Sequence, residues 1–147
     1  PDILGPADLK KTSEIVAWTR DIQVQAAELA AQDTFPIFIG GDHSMAAGTL
    51  TGVTQAAAAK GQPQFVLWLD AHPDMNTLTS TLSGHLHGTP MAYALGMLSF
   101  EGIFPTVLAP LDPANVCMIG LRSVDEDERQ IIRELAMDVY DMRRIDE

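Results

Sequence analysis

Apolar residues recur at helical spacing from Thr12 to Asp33 (Ile15, Trp18, Ile22, Ala26, Leu29). With Thr12 or Ser13 and the nearby Glu14 as a start, they predict a helix that covers one face of a sheet. The pattern then shortens. "FPIFIGG" (35–41) predicts a buried strand entered through Pro36 and closed by two glycines, after which Ser44 caps a small-residue helix running toward Lys60. A turn at "GQP" leads into "QFVLWLD" (64–70), an apolar run without polar alternation, the pattern of a strand buried on both faces. Residues 75–88 are rich in Thr, Ser, Gly and His, carry no apolar period and read as a long loop. A helix follows Pro90 through "MAYALGMLSF", "NVCMIGL" is a third buried strand, "DEDER" opens a helix to about Met137, and "DVY" begins a fourth strand. Strand and helix alternate throughout, which predicts an α/β fold with a parallel sheet, helices on both faces and right-handed connections. No internal repeat, low-complexity tract or linker interrupts that order.

A chain of 147 residues, 46% of them hydrophobic, builds one core, and so is one domain or part of one. Nine Lys and Arg against twenty Asp and Glu give a net charge of -11. That charge repels a phosphate backbone, which argues against nucleic acid, and suits metal cations or a small cationic molecule; most of the acids form an ordinary solvated surface. The single cysteine, Cys117, sits in an apolar run, so neither a disulfide framework nor a cysteine zinc cluster is available. This fits a reducing, cytoplasmic setting. No stretch is apolar and long enough to span a bilayer, and the opening "PDILGPADLKK" lacks the basic-then-apolar order of a signal peptide. The chain begins with Pro rather than Met, which leaves a targeting segment open.

The chemistry gathers where predicted strands end. In an extended segment alternate side chains share a side, so Asp70, His72 and Asp74 in "LDAHPDMNT" form one row, and Pro73 marks the point where sheet pairing stops. Open α/β folds bind ligands at that end of the sheet. Two carboxylates in one crevice repel unless a cation lies between them, and oxygen and nitrogen donors without thiolate suit manganese ahead of zinc, iron or cobalt. Taken singly, the same residues also read as a polar turn. "GGDHS" (40–44) closes the preceding strand in the same manner and brings His43 to the same edge, although alone it reads as a glycine turn with a helix cap. "SGHLHG" (83–88) offers His87 as a proton shuttle, since imidazole titrates near neutral pH, and His85 as a substrate contact; either also reads as a loop histidine. In "GLRSVDEDER", Asp125 and Glu128 are placed to grip a positive group, whereas Glu126 and Asp127 serve the helix dipole.

Four blocks, "GGDHS", "WLDAHPDMNT", "SGHLHGTP" and "GLRSVDEDE", stand in this order over residues 40–129, and together they resemble the ureohydrolase superfamily, specifically the arginase branch. The resemblance implies a three-layer α/β/α fold around a parallel sheet with two Mn2+ at its carboxyl edge. It implies His43 and Asp74 on one manganese, His72 on the other and Asp70 bridging both, with Asp74 counted also among the catalytic residues. Two such metals activate a bridging hydroxide. The implied reaction is attack of that hydroxide on L-arginine to give L-ornithine and urea, with His87 as proton shuttle. By the same resemblance Asn76 and Ser83 meet the substrate α-carboxylate, Asp125 and Glu128 lie near its α-amino group, and the complete enzyme is a trimer or hexamer.

Two positions depart from the family pattern. His85 stands where arginases carry Asn, which removes an amide donor to the carboxylate, and Ser123 replaces a common acidic residue. The family's later Asp-x-Asp-x-x-Asp-Pro block is not among these residues. Residues 1–147 are therefore read as a single partial catalytic domain lacking its C-terminal part, and the polypeptide alone is expected to bind manganese weakly and to turn over poorly or not at all. Agmatine or another guanidino compound as substrate, and a non-catalytic fragment of the fold, stand as the alternatives.

Overall fold

The computed structural model describes residue 9, residues 11–32 and residues 34–146. Asp33, where the periodicity closes the first helix, and residues 1–8, which open the segment that lacks the order of a signal peptide, lie outside the described residues. No helix among the described residues is long and apolar enough to cross a membrane.

The chain opens with α1 (Thr12–Ala31) and α2 (Met45–Ala59), followed by β1 (Val66–Leu69). A long loop with a 3-10 turn at Leu86–Gly88 leads to α3 (Pro90–Ala94), and further 3-10 turns precede β2 (Val116–Ile119). Then come α4 (Glu126–Glu134), β3 (Asp138–Tyr140) and α5 (Met142–Asp146). The strands form a parallel sheet in the order β1-β2-β3, with Val66 opposite Val116 and Cys117 opposite Asp138. Parallel neighbours need crossover connections, which the α3 region and α4 supply.

Trp68, Val116 and Met118 on one face of the sheet meet Ala46 and Leu50 of α2, Met75 and Met91 in one core, which Ile131 and Ile132 of α4 and Leu135 at its end extend. A second cluster of Tyr93, Phe100 and Phe104 packs ring against ring beneath the loop that follows α3. The α3 helix is shorter than the run "MAYALGMLSF" predicts. Gly96 adopts φ +75°, a left-handed turn that ends the helix at its first opportunity.

Three expectations are corrected. The segment "FPIFIGG" is no buried strand: no strand is formed over 35–41, and Phe35, Ile37 and Ile39 are 91%, 76% and 91% exposed. A strand exists only through hydrogen bonds to a neighbour, and among the described residues nothing pairs with this one. Nor is β1 buried on both faces. Trp68 turns into the core, while Leu67 and Leu69, on the other side of the pleat, are 61% and 68% exposed.

The third correction concerns α1, whose main partner is α2 rather than a strand. Its buried residues are Thr19, Gln23 and Ala26, whereas Trp18 lies exposed. Two glycines of α2 explain the rotation. A Cβ on Gly48 would stand 2.8 Å from the Thr19 carbonyl oxygen and 2.7 Å from Ile22 Cβ, and one on Gly52 would strike the Gln23 carbonyl. The helices approach so closely that small and polar residues line the contact, leaving the larger apolar side chains at its margin.

Candidate metal centre

Asp70 follows β1 directly and is tied to the sheet by its backbone N–H, which donates to the Ile119 carbonyl at 3.2 Å. Its Oδ1 accepts the His72 amide at 2.9 Å, a tight local turn that aims the carboxylate back over the strand end. The His72 ring nitrogen Nδ1 stands 3.5 Å from that same oxygen, and His43 Nδ1 stands 3.5 Å from Asp70 Oδ2. Asp70 therefore lies between two imidazoles that are 29 positions apart in sequence.

His43 arrives from the turn before α2, and its ring lies on the indole of Trp68, centroids 4.6 Å apart and planes inclined by 20°. The same indole donates Nε1–H to the His72 carbonyl at 3.0 Å. One buried tryptophan thus supports both histidine-bearing segments, a role the sequence signalled only as one more apolar residue of a strand. Asp42 is a second residue missed: its Oδ1 accepts the Ser44 amide at 2.9 Å at the entry to α2, and Ser44, expected to cap that helix, makes no side-chain cap bond.

Asp74 is reached by a different route from the one that extended geometry implies. The residue takes φ +52°, in the left-handed region, so the row of alternating side chains is broken after Pro73. Its carboxylate is buried, with Oδ2 2.6 Å from His43 Nδ1. The contact is an ion pair to His43, and Oδ2 has no other polar partner among the described residues. Asp74 most strongly, with Asp70 and Asp42 adding to it, holds the His43 imidazolium above the ordinary histidine range, against the opposing effect of partial burial.

Asn76 and Asp125, both assigned by resemblance to substrate, meet each other: Asn76 Nδ2 donates to Asp125 Oδ2 at 3.0 Å, and Asn76 Oδ1 accepts from Ser80 Oγ at 3.0 Å. Glu128 is buried, 4% exposed, with Oε1 accepting the Met75 amide at 3.0 Å and Oε2 the Asp125 amide at 2.9 Å. Burial pushes its carboxyl above the usual range, and the two amides pull against that shift. Ser83 accepts the His85 amide at 3.2 Å. His85 and His87 stack at 5.3 Å on the exposed loop, and His87 is near enough to Asp42 for their charges to interact. The structure brings together His43, Asp70, His72 and Asp74, and separately Asn76, Asp125 and Glu128.

Whether these residues suit a metal rests on their donor atoms. Nitrogen and carboxylate oxygen converge, with the buried Asp74 Oδ2 held by His43 alone, and such mixed donors are what a hard or borderline divalent cation takes. The set fits in kind and is sparse in number. Among the described residues no three His, Cys, Asp or Glu are arranged to close on one ion.

The Arginase family model matches residues 3–147. An arginase of Brucella melitensis is 54% identical over 139 residues, which are 95% of this chain and 45% of that protein. One of Agrobacterium fabrum is 49% identical over 148 residues, covering 100% of this chain and 45% of that protein. The crystal structure of arginase from Bacillus subtilis superposes with a TM-score of 0.80 at 38% identity, over 95% of this chain and 47% of that one. The chain spans about half the length of the curated relatives it matches. Its parallel sheet and flanking helices are an arginase-like α/β fold, incomplete relative to those structures. On a match that runs almost from end to end, this chain belongs to the arginase family.

Proposed function

We propose that residues 1–147 form part of a single arginase-type catalytic domain in which His43, Asp70, His72 and Asp74 are donors to a manganese centre that hydrolyses L-arginine to L-ornithine and urea. The observation that carries this reading is the meeting of His43 with Asp70 and Asp74 at the carboxyl end of β1, around the buried Asp74 carboxylate. Relatives named arginase support it. When bound, manganese would acidify water and so supply a hydroxide nucleophile at neutral pH.

The chain's own residues do the rest. Trp68 holds the His43 ring in place, and Asp70 keeps His43 and His72 over a shared charge. The acidic character of the cluster favours a cationic guanidino group over an anionic substrate. His87, on the exposed loop, hands a proton to the leaving amine, and Asp125 faces the amino end of the substrate. Manganese dependence, a homo-oligomeric trimer or hexamer and a cytoplasmic setting belong to the same reading. Four donors are few for two divalent ions, so the polypeptide alone binds manganese weakly and turns over poorly or not at all.

A second reading keeps the chemistry and replaces arginine by agmatine or another guanidino compound. It is favoured by Asn76, whose side-chain oxygen and nitrogen are both engaged within the chain, by Ser80 and Asp125, and by His85 standing where arginases carry an amide. Urea release from a panel of guanidino compounds separates the two, L-arginine leading under the first and agmatine under the second. Calorimetric titration with manganese tests the centre itself. Weak binding that vanishes in Asp70→Asn is expected, two tight sites on the 147-residue chain would overturn the sparse-donor argument, and no binding at all would leave the non-catalytic reading.

A further inference from the structure

The peptide group joining Asp74 to Met75 is gripped from both sides. Its carbonyl oxygen accepts the amides of Met91 at 3.1 Å and Ala92 at 3.3 Å, at the start of α3. Its N–H donates to Glu128 Oε1 at 3.0 Å, from a residue 53 positions away on α4. Met75 is fully buried, so no water replaces that bond if it is lost. The grip acts at a left-handed backbone, since Asp74 sits at φ +52°, a conformation uncommon for residues with a Cβ although Asp accepts it more readily than most.

Holding this peptide fixes the Asp74 carbonyl carbon and hence its φ, and a change in that φ would swing the Asp74 Cβ, and with it the carboxylate, away from His43. We propose that Glu128 is a positioning residue, whose carboxylate locks the Asp74–Met75 peptide and thereby aims Asp74 into the metal centre. The inference rests on the reading of Asp74 as a manganese donor and deepens it. It also gives Glu128 a different task from direct contact with a substrate amine, because one carboxylate oxygen serves the buried Met75 amide and the other the Asp125 amide. A cap of α4 needs only the bond from Asp125 N–H to Oε2. The bond to Met75 lies outside that helix and has no capping purpose.

Glu128→Gln leaves one accepting oxygen for two backbone N–H groups, so the Met75 and Asp125 amides read together show which bond is lost; a protected Met75 amide beside a freed Asp125 amide and a weakened manganese response would overturn the proposal. The measurements are amide hydrogen exchange by NMR and the broadening of site resonances by added manganese(II), which reports weak binding. In the unmodified protein the Met75 amide should exchange as slowly as the amides of β2; exchange as fast as that of exposed loop amides would overturn the proposal whether or not any variant folds. In Glu128→Gln, faster exchange at Met75 is expected together with an about tenfold higher manganese concentration for the same broadening at His43, while the amides of Ile131–Leu135 stay protected. Unchanged manganese response with a freed Met75 amide would sink it. Absence of manganese broadening in the unmodified protein removes the metal reading, and the exchange data then still decide whether Glu128 holds the peptide.

Discussion

The imidazole of His43 rests on the indole of Trp68 at 4.6 Å between centroids, and that same indole hydrogen-bonds the His72 carbonyl. A histidine that follows an unpaired segment is thus docked against a strand it is not hydrogen-bonded to. Trp68→Phe keeps an aromatic surface and removes the N–H. It should cost about 1 kcal/mol of stability, the usual worth of one such bond, and should weaken manganese binding, because His72 and His43 lose their common support. Urea denaturation read alongside a manganese titration checks both halves; a variant with unaltered metal affinity would show that Trp68 merely fills the core.

Asp70 is the carboxylate shared by His43 and His72. Asp70→Asn preserves shape and hydrogen bonding to the His72 amide and deletes the charge. Manganese binding, and urea release in any active form of the protein, should fall to background. A near-normal rate would count heavily against Asp70 as a common donor.

Gly52→Ala brings two effects into opposition. In an exposed helix the change stabilises by about 1 kcal/mol. Here the added methyl meets the Gln23 carbonyl and the Ala26 side chain. Backbone cannot yield as a flexible side chain can, so a net loss of about 1–3 kcal/mol is expected, read as a lower midpoint in thermal or urea unfolding. A stabilised variant would mean that α1 and α2 are not in such close contact.

Tyr93 donates its hydroxyl to the Pro105 carbonyl at 2.7 Å, and burial pushes its ionisation from 10.0 to about 12. The folded state holds this proton more tightly than the unfolded chain. Its contribution is therefore complete below pH 10 and is lost as pH rises toward about 12. Tyr140→Phe leaves Tyr93 as the one tyrosine, and ultraviolet titration of that variant should show phenolate forming near pH 12, accompanied by unfolding. Ionisation near pH 10 in a folded protein would contradict the burial.

Much of this was legible in the sequence because it is local. Apolar period and end signals located α2, β2, α4 and β3, and the residue types at the strand ends, two imidazoles beside two carboxylates, specified the donor chemistry. Asp70 and His72 meet through a turn of only three residues, closer than the extended row that alternation predicts. These features depend on neighbours a few positions away, and the sequence carries those neighbours in plain order.

Tertiary structure alone decided the rest. The segment 35–41 has the composition of a strand and forms none, because pairing belongs to two segments and not to one. The same apolar alternation in β1 buries Trp68 and exposes Leu67, since what covers a face is set by the packing of distant elements. Close approach of α2 turned α1 onto Thr19, Gln23 and Ala26. Asp74 faces His43 through a left-handed backbone held by α3 and by Glu128, bonds that join residues far apart in the chain. Side-chain identity determines which atoms can donate, whereas the directions in which they point follow from long-range contacts that no local pattern encodes.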